Sequence, residues 1–392
     1  MSNFWRREKL GNICQKITDG THKTPIYQDT GVVFLSARNI KNGTLSFANH
    51  KFISKDEHLE LTKRCRPETG DVMLSKSGSL GDAIMIPELP FSFSIFESLA
   101  LIKPKKNVLS PEYLQHYLNS PLSKRYFWSI TSGIAVKHLH LVDLRKMPIC
   151  IPSLNTQTDI TDTLNHWDSA IEKTEALIAA KEKQFEWLKT QLIANPSKNH
   201  GWKCKKLNDL VEIKKGEQLN RIHLTKTGRY PAWNGGISPS GYTDNFNTIE
   251  NTVTISEGGN SCGFVNYCKE RFWCGGHCYS LLDVSDQIIP SFLFYFLKSH
   301  EKKIMQLRVG SGLPNIQKKD IAKFSIIYPS RSIQVEISAT LTTTQKEIKL
   351  LKKTLAKYRL QKRGLMQKLL TGEWPVSVPT ETTDKTPKEL SA

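Results

Sequence analysis

Two stretches of the chain place apolar residues at alternating spacings of four and three. The first runs Ile160, Leu164, Trp167, Ile171, Thr174, Ile178, Lys181, Phe185, Leu188, Leu192. The second runs Ile337, Leu341, Thr344, Ile348, Leu351, Leu355, Tyr358, Lys362, Leu365, Leu369. This is the a/d pattern of a coiled-coil seam. Each seam covers 33 residues, so each helix is expected to be about 50 Å long at 1.5 Å per residue. An apolar stripe of that length needs a partner, and the two helices are predicted to pack on one another, antiparallel because a globular segment lies between them. Thr156 with Asp159 suggests a capping box at the first start, Asn195-Pro196 a stop, and Gly372 with Pro375 the second stop.

Outside the seams the period changes. Val32-Val33-Phe34-Leu35, Asp71-Val72-Met73-Leu74 and Leu99-Ala100-Leu101-Ile102 are short aliphatic runs bounded by Gly, Pro or Asn, and they predict strands. A short helix is expected at 110–118. A later part of the chain offers the same order: Thr252-Val253-Thr254-Ile255, Phe264-Val265-Asn266-Tyr267, Ser280-Leu281-Leu282, then a helix at 290–297.

The resemblance between the two halves is a repeat. Trp5, Leu10 and Gly31 match Trp202, Leu207 and Gly228 at an offset of 197. Asp143, Pro152, Gln157, Ile160 and Ile171 match Asp320, Pro329, Gln334, Ile337 and Ile348 at an offset of 177. The second copy is 20 residues shorter, and the loss falls between Gly31 and Asp143. A frame kept twice around different middles suits one physical task performed on two different targets. The expected division is 1–152 and 196–329 for the globules, 153–195 and 330–374 for the helices, and a disordered tail at 375–392.

Composition narrows the partners. At 39% hydrophobic and 23% charged residues, the chain is globular rather than disordered, and 392 residues are too many for one core. A net charge of +18 points to a polyanion, with nucleic acid first. No run is long and apolar enough for a membrane span, and the start lacks the plan of a signal peptide, so a cytoplasmic protein is expected. Its eight cysteines are expected to be reduced thiols. Cys262, Cys268, Cys274, Cys278 and His277 are the densest group of metal-ligand types, but no pair has the two-residue spacing of a zinc knuckle, so no metal is expected. There is no phosphate-binding Gly-x-x-x-x-Gly-Lys-Ser/Thr loop, no Asn/Asp-Pro-Pro-aromatic motif and no convincing nuclease cluster, so no catalytic residue is expected here.

Two variable globules alternating with two similar long helices resemble the specificity subunit of type I restriction-modification systems. The resemblance covers residues 5–374. It is carried by the segment from Trp5 to Leu10, by Gly70-Asp71-Val72-Met73-Leu74 with Ser77-Gly78-Ser79-Leu80-Gly81, by Ser132-Gly133-Ile134, and by Ile151-Pro152 ahead of Gln157. It implies an α+β fold: two β-rich target recognition domains in pseudo-repeat, separated by two long helices packed as an antiparallel coiled coil. It also implies a non-catalytic reader of a bipartite, asymmetric target in double-stranded DNA. Two methyltransferase subunits would dock on the helices, and restriction/translocase subunits would be reached through them. No cofactor is expected on this chain: S-adenosylmethionine would sit on the methyltransferase partner, ATP and Mg on the restriction partner. One departure stands out. The second copy has Glu257-Gly258-Gly259-Asn260 where the first has Lys76-Ser77-Gly78-Ser79, so the same loop would meet DNA with opposite charge.

Base readout needs side chains that present paired donors and acceptors, on loops aimed by a strand frame. In the first copy the candidates are Thr21, His22, Lys23, Ser36, Arg38, Asn39, Lys76, Ser77, Ser79, Lys137, His138 and His140. In the second they are Asn220, Arg221, Trp233, Asn234, Ser238, Tyr242, Asn260, Ser261, His277, Asn315, Gln317 and Lys318. Lys137 and Lys318 are expected to position the globules on phosphates, and Glu257 could accept from a cytosine amino group. Helix pairing is expected from Ile160, Leu164, Trp167, Ile171, Ile178, Phe185, Leu188, Leu192, Ile337, Leu341, Ile348, Leu351, Leu355, Tyr358, Leu365 and Leu369. The basic face from Lys346 to Arg363 could track phosphates of unread DNA. Two other readings stay open: a structural or RNA-binding coiled-coil protein, and a DNA-modifying enzyme with an unrecognised site.

Overall fold

The computed structural model describes residues 5–41, 43–78, 80–131, 138–194, 201–310, 312 and 314–375. Two compact units emerge, one formed by 1–174 with 354–392 and the other by 175–353. The division falls inside both long helices, which run unbroken over Leu154–Lys189 and Arg331–Leu369.

In the first unit a four-stranded antiparallel sheet is ordered Cys14–Asp19, Leu99–Pro104, Val72–Ser75, Ala83–Met85. Its central strands are apolar on both faces because both faces are covered. Val72, Leu74, Ala100 and Ile102 join the core beneath the helix Pro111–Asn119, with Tyr113, Leu114, Tyr117 and Leu118. The alternate residues Met73, Leu99 and Leu101 point the other way, into a smaller core with Leu35, Phe93 and Ile95. That second layer is a three-stranded sheet, in which Val32–Leu35 pairs antiparallel with Lys51–Ile53 and parallel with Phe93–Ile95.

The second unit repeats this topology. Glu212–Lys215, Cys278–Leu282, Thr252–Ser256 and Val265–Cys268 form the equivalent sheet in the same order. Tyr230–Trp233 pairs antiparallel with Gly241–Thr243 and parallel with Trp273–Cys274. Each copy also closes its ends with a two-stranded ribbon, Arg6–Lys9 with Pro148–Ile151 and Lys203–Lys206 with Ser325–Tyr328. Most of the length difference sits in one place. Between its second-layer strand and the main sheet, the first copy carries a small hairpin, Ile40–Lys41 with Thr44–Leu45, and the ten-residue helix Lys55–Arg64. Among its described residues the second copy has neither.

The long helices begin alike, on Ser153 and Ser330 rather than Thr156: the Ser153 hydroxyl accepts from the Thr156 amide at 3.3 Å, and the Gln157 and Gln334 amides donate to the Ser153 and Ser330 carbonyls. One turn in, a fully buried glutamine locks each helix to its globule. Gln157 donates to Val108 O and Pro152 O and accepts from the Ser110 amide. Gln334 donates to Gln287 O and Pro329 O and accepts from the Ile289 amide. Within each unit the two helix segments run antiparallel. In the first, Ile160 and Leu164 share a core with Leu369, Leu365 packs against it, Trp167 meets Tyr358 edge-on at 5.7 Å, and Asp168 pairs with Lys362. In the second, Phe185, Leu188 and Leu192 pack on the core that holds Ile337 and Leu341, and Lys181 pairs with Glu347 at 3.0 Å. Ile178 and Ile348 are buried, and Ile171, Leu351 and Leu355 half-buried. The first α-helix passes into a π turn at Thr190–Ala194, and the Asn195-Pro196 stop lies outside the described residues. The second ends before Gly372, whose positive φ of 77° suits a residue without a side chain and leaves room for Trp5. The tail beyond Pro375 lies outside the described residues.

Candidate nucleic-acid interface

At one end of each main sheet, three loops converge on the residue that follows a central strand. In the first copy that residue is Lys76. Its amide donates to Ser98 O at 2.8 Å, and its carbonyl accepts from the Leu139 amide at 3.0 Å. In the second it is Glu257, whose amide donates to His277 O at 2.9 Å and whose carbonyl accepts from the Ile316 amide at 2.8 Å. The backbone junction is therefore the same in both copies. Just beyond it each loop tip turns through a glycine of positive φ, Gly78 at 71° and Gly259 at 74°, with open space around both.

The side chains at this junction oppose one another in sign. Lys76 is 2% exposed and its Nζ lies 2.5 Å from Asp19 Oδ2. Asp19 also takes Arg64 Nη2 at 2.6 Å and His22 Nε2 at 3.2 Å, and the other nitrogen of His22 lies 2.8 Å from Glu97. Burial alone would raise the Asp19 pKa; the hydrogen bond and charge of Lys76, with His22, outweigh it and hold the carboxyl below its usual range. Glu257 accepts from Lys215 Nζ at 2.6 Å and from the Tyr279 hydroxyl at 3.0 Å, with His277 Nδ1 3.8 Å from its other oxygen. Burial first, and Glu257 second, push the Tyr279 hydroxyl up to about 12. Sheet register shows that these are one site. Asp19 lies opposite Ala100, itself opposite Leu74; Lys215 lies opposite Tyr279, itself opposite Ile255. Leu74 and Ile255 each precede the junction residue by two. The ion pair is thus the same pair with its polarity reversed.

This changes the sequence-based picture of the loop. The opposite charges of Lys76 and Glu257 are each neutralised by a partner from the strand two places away in the sheet, so neither loop presents its charge outward. Lys76 is buried and drops out of the contact set. Asn39 does too: it is 3% exposed, its Oδ1 accepts from the Ser36 amide and its Nδ2 donates to Ser46 O, so its amide holds a turn. The partners Asp19, Arg64 and Lys215 were missed, because each lies far along the chain from the residue it neutralises.

The remaining candidates divide by position. Around Asp19 the first copy gathers Thr21, His22 and His138, and the Lys76 carbonyl holds the segment carrying His138 and His140, whose rings lie 5.3 Å apart. Burial, then the charges of Lys76 and His140, lower the His138 pKa. The turn after Ser36 joins the group through the Ala37 amide, which donates to Ser98 Oγ at 3.0 Å. Lys23, Arg38 and His140 are exposed and Ser77 half-buried. In the second copy Ser261 donates to Gly235 O at 2.5 Å, Asn234 accepts from the His277 amide, and Asn315 bridges to Gly258. Asn260, His277, Gln317 and Lys318 are exposed beside them, and Trp233 packs on the cluster of Cys268, Cys274 and Cys278. Tyr242 pairs instead with Thr225, Asn220 accepts from the Ile222 amide, and Ser238 is exposed. Ser79, Lys137 and the side chain of Arg221 lie outside the described residues. Among the described residues no group of His, Cys, Asp or Glu is arranged to hold a metal ion, and no helix is long and apolar enough to cross a membrane.

Each copy is an α+β frame that displays variable polar loops at one end of its main sheet and packs against two antiparallel helix segments. The family model described as type I restriction modification DNA specificity domain matches residues 4–181 and 199–357. The chain belongs to that family. A Mycoplasma genitalium chain named as a type I specificity subunit is 36% identical over 147 residues, which cover 37% of this chain and 38% of that one. The chain therefore matches little more than a third of that relative's length. A Methanocaldococcus jannaschii chain named as a type I restriction enzyme specificity subunit is 20% identical over 94% of this chain and 93% of its own. The crystal structure of a type I restriction-modification S subunit from M. genitalium shares the fold, with a TM-score of 0.65 at 17% identity over 94% of this chain and 97% of that one.

Proposed function

We propose that each copy reads one half of a split, asymmetric target in double-stranded DNA, and that the paired helices dock methyltransferase subunits through which restriction subunits are reached. The observation that carries this reading is the junction built twice on one backbone plan with different side chains around it. One frame aiming two sets of donors and acceptors is what two unlike half-sites require. The candidates that stay accessible at the junctions are His22, Ser77, His138 and His140 in the first copy and Asn260, Ser261, His277, Asn315 and Gln317 in the second. Lys23, Arg38 and Lys318 suit phosphate contacts, so affinity falls with salt. Catalysis belongs to other chains: S-adenosylmethionine to the methyltransferase, ATP and Mg to the restriction subunit.

The test is a genome-wide map of methylated adenines in cells that co-express this chain with its methyltransferase partner, against cells lacking the chain. A new motif of two short blocks separated by unread positions is expected. Replacing residues 5–152 with the matching part of another family member should then alter one block only. No motif from an assembled complex, or a change in both blocks, would overturn the reading.

A further inference from the structure

The reversed ion pair occupies the point on which the reading loops hang. We infer that Asp19 with Lys76, and Lys215 with Glu257, are positioning pairs for the reading loops of their copies, with a polarity that Arg64 locks in the first copy and that is interchangeable in the second. The inference rests on the reading of each copy as a half-site reader.

The backbone of Lys76 or Glu257 ties its own loop to two others. The side chain, reaching across the intervening strand to its partner on the next one, sets where that knot sits over the sheet. A charge this buried needs an opposite charge beside it, which explains why both members of the pair are reversed together. What surrounds the pair differs. Asp19 answers two cationic groups, Lys76 and Arg64, with the His22 ring beside them, so a cation in its place would face Arg64 at short range. Arg64 ends the helix Lys55–Arg64, an element with no counterpart among the described residues of the second copy. Around Glu257 the other neighbours are the His277 ring and the Tyr279 hydroxyl. A hydroxyl accepts as well as it donates, and Tyr279 already lies 3.3 Å from Ile316 O, a second acceptor for its proton. The Lys215 side chain is 52% exposed, so a carboxylate there stays solvated.

The experiment uses the full chain with its methyltransferase partner, and reads both the methylated motif and amide exchange of the purified chain. Lys215→Glu and Glu257→Lys should each lower methylation about tenfold through one half of the motif only, within the usual range of pairwise coupling. Exchange at the Glu257 and Ile316 amides should speed up alongside. The double variant K215E/E257K should return both readouts to within about threefold of the parent. Asp19→Lys with Lys76→Asp should stay as impaired as either single change, and recover when Arg64→Glu is added. Single variants that melt earlier yet keep the parent motif and exchange would show a merely structural pair and overturn the inference. So would a K215E/E257K variant as poor as its parents, or a D19K/K76D variant that recovers without the change at Arg64. Exchange reads loop placement without DNA, so the pairs are tested even where the unmodified chain yields no split motif, a result that counts against half-site reading alone.

Discussion

The two main sheets share strand order and register but not what lies behind them. In the first, Met73, Leu99 and Leu101 turn an apolar back to a second core with Leu35, Phe93 and Ile95. In the second, the equivalent places in the register belong to Thr254, Cys278 and Ser280, and the second layer packs as a small cluster of Cys268, Phe272, Cys274 and Cys278. The faces toward the helices stay alike: Val72, Leu74, Ala100 and Ile102 against Val253, Ile255, Tyr279 and Leu281. The frame is held by one face, and the other varies with the loops it supports. The junction pair follows the same logic, since what persists is neutrality and its sign does not.

The largest effect is expected where the copies are most alike. Gln157→Leu leaves the Ser110 amide and the Val108 and Pro152 carbonyls without their partner, at a cost of about 4 kcal/mol, one to three for each buried group. Gln334→Leu should cost the same within about 1 kcal/mol. Chemical unfolding of the two variants measures this, and a large inequality would break the equivalence of the helix roots. The junction should separate the copies. Lys76→Met removes the buried partner of Asp19, leaving Arg64 as its remaining cation, and should destabilise the first unit by about 3 kcal/mol. Lys215→Met, removing a half-exposed partner, should cost about 1 kcal/mol in the second. Exchange-protected amides in each unit report the two separately.

Acidification should produce the smallest difference. Burial, aided by neighbouring positive charge, holds His58, His116 and His138 of the first unit below the usual histidine range, and His300 of the second. Such groups stay neutral when folded while the unfolded chain takes up protons near pH 6.5. Their contribution is present above that pH and is lost as pH falls through it toward the folded value. Between pH 7 and 5 the first unit should therefore lose more protection than the second. An equal loss would show that these rings do not set the difference.

Much of the frame was legible in the order of residues. The runs at Val32-Val33-Phe34-Leu35 and Thr252-Val253-Thr254-Ile255 are strands in the structure, and the helices expected at 110–118 and 290–297 run Pro111–Asn119 and Pro290–Ser299. The site was less legible. Lys76 and Asn39 look like base readers because each is polar and near a strand end, yet both are buried and their polar atoms are engaged within the fold. Burial of a loop side chain depends on which other loops arrive beside it, and local pattern carries no record of that.

The sequence by itself determined the repeat, the long helices and the order of the strands, because each rests on spacings of two, three and four residues or on a match at a constant offset. Only the tertiary structure decided which charges meet. Asp19 finds Lys76 and Arg64, and Lys215 finds Glu257, through the register of a sheet and the docking of a helix. Those contacts join residues some forty to sixty apart in the chain, and strand pairing rather than neighbourhood brings them together.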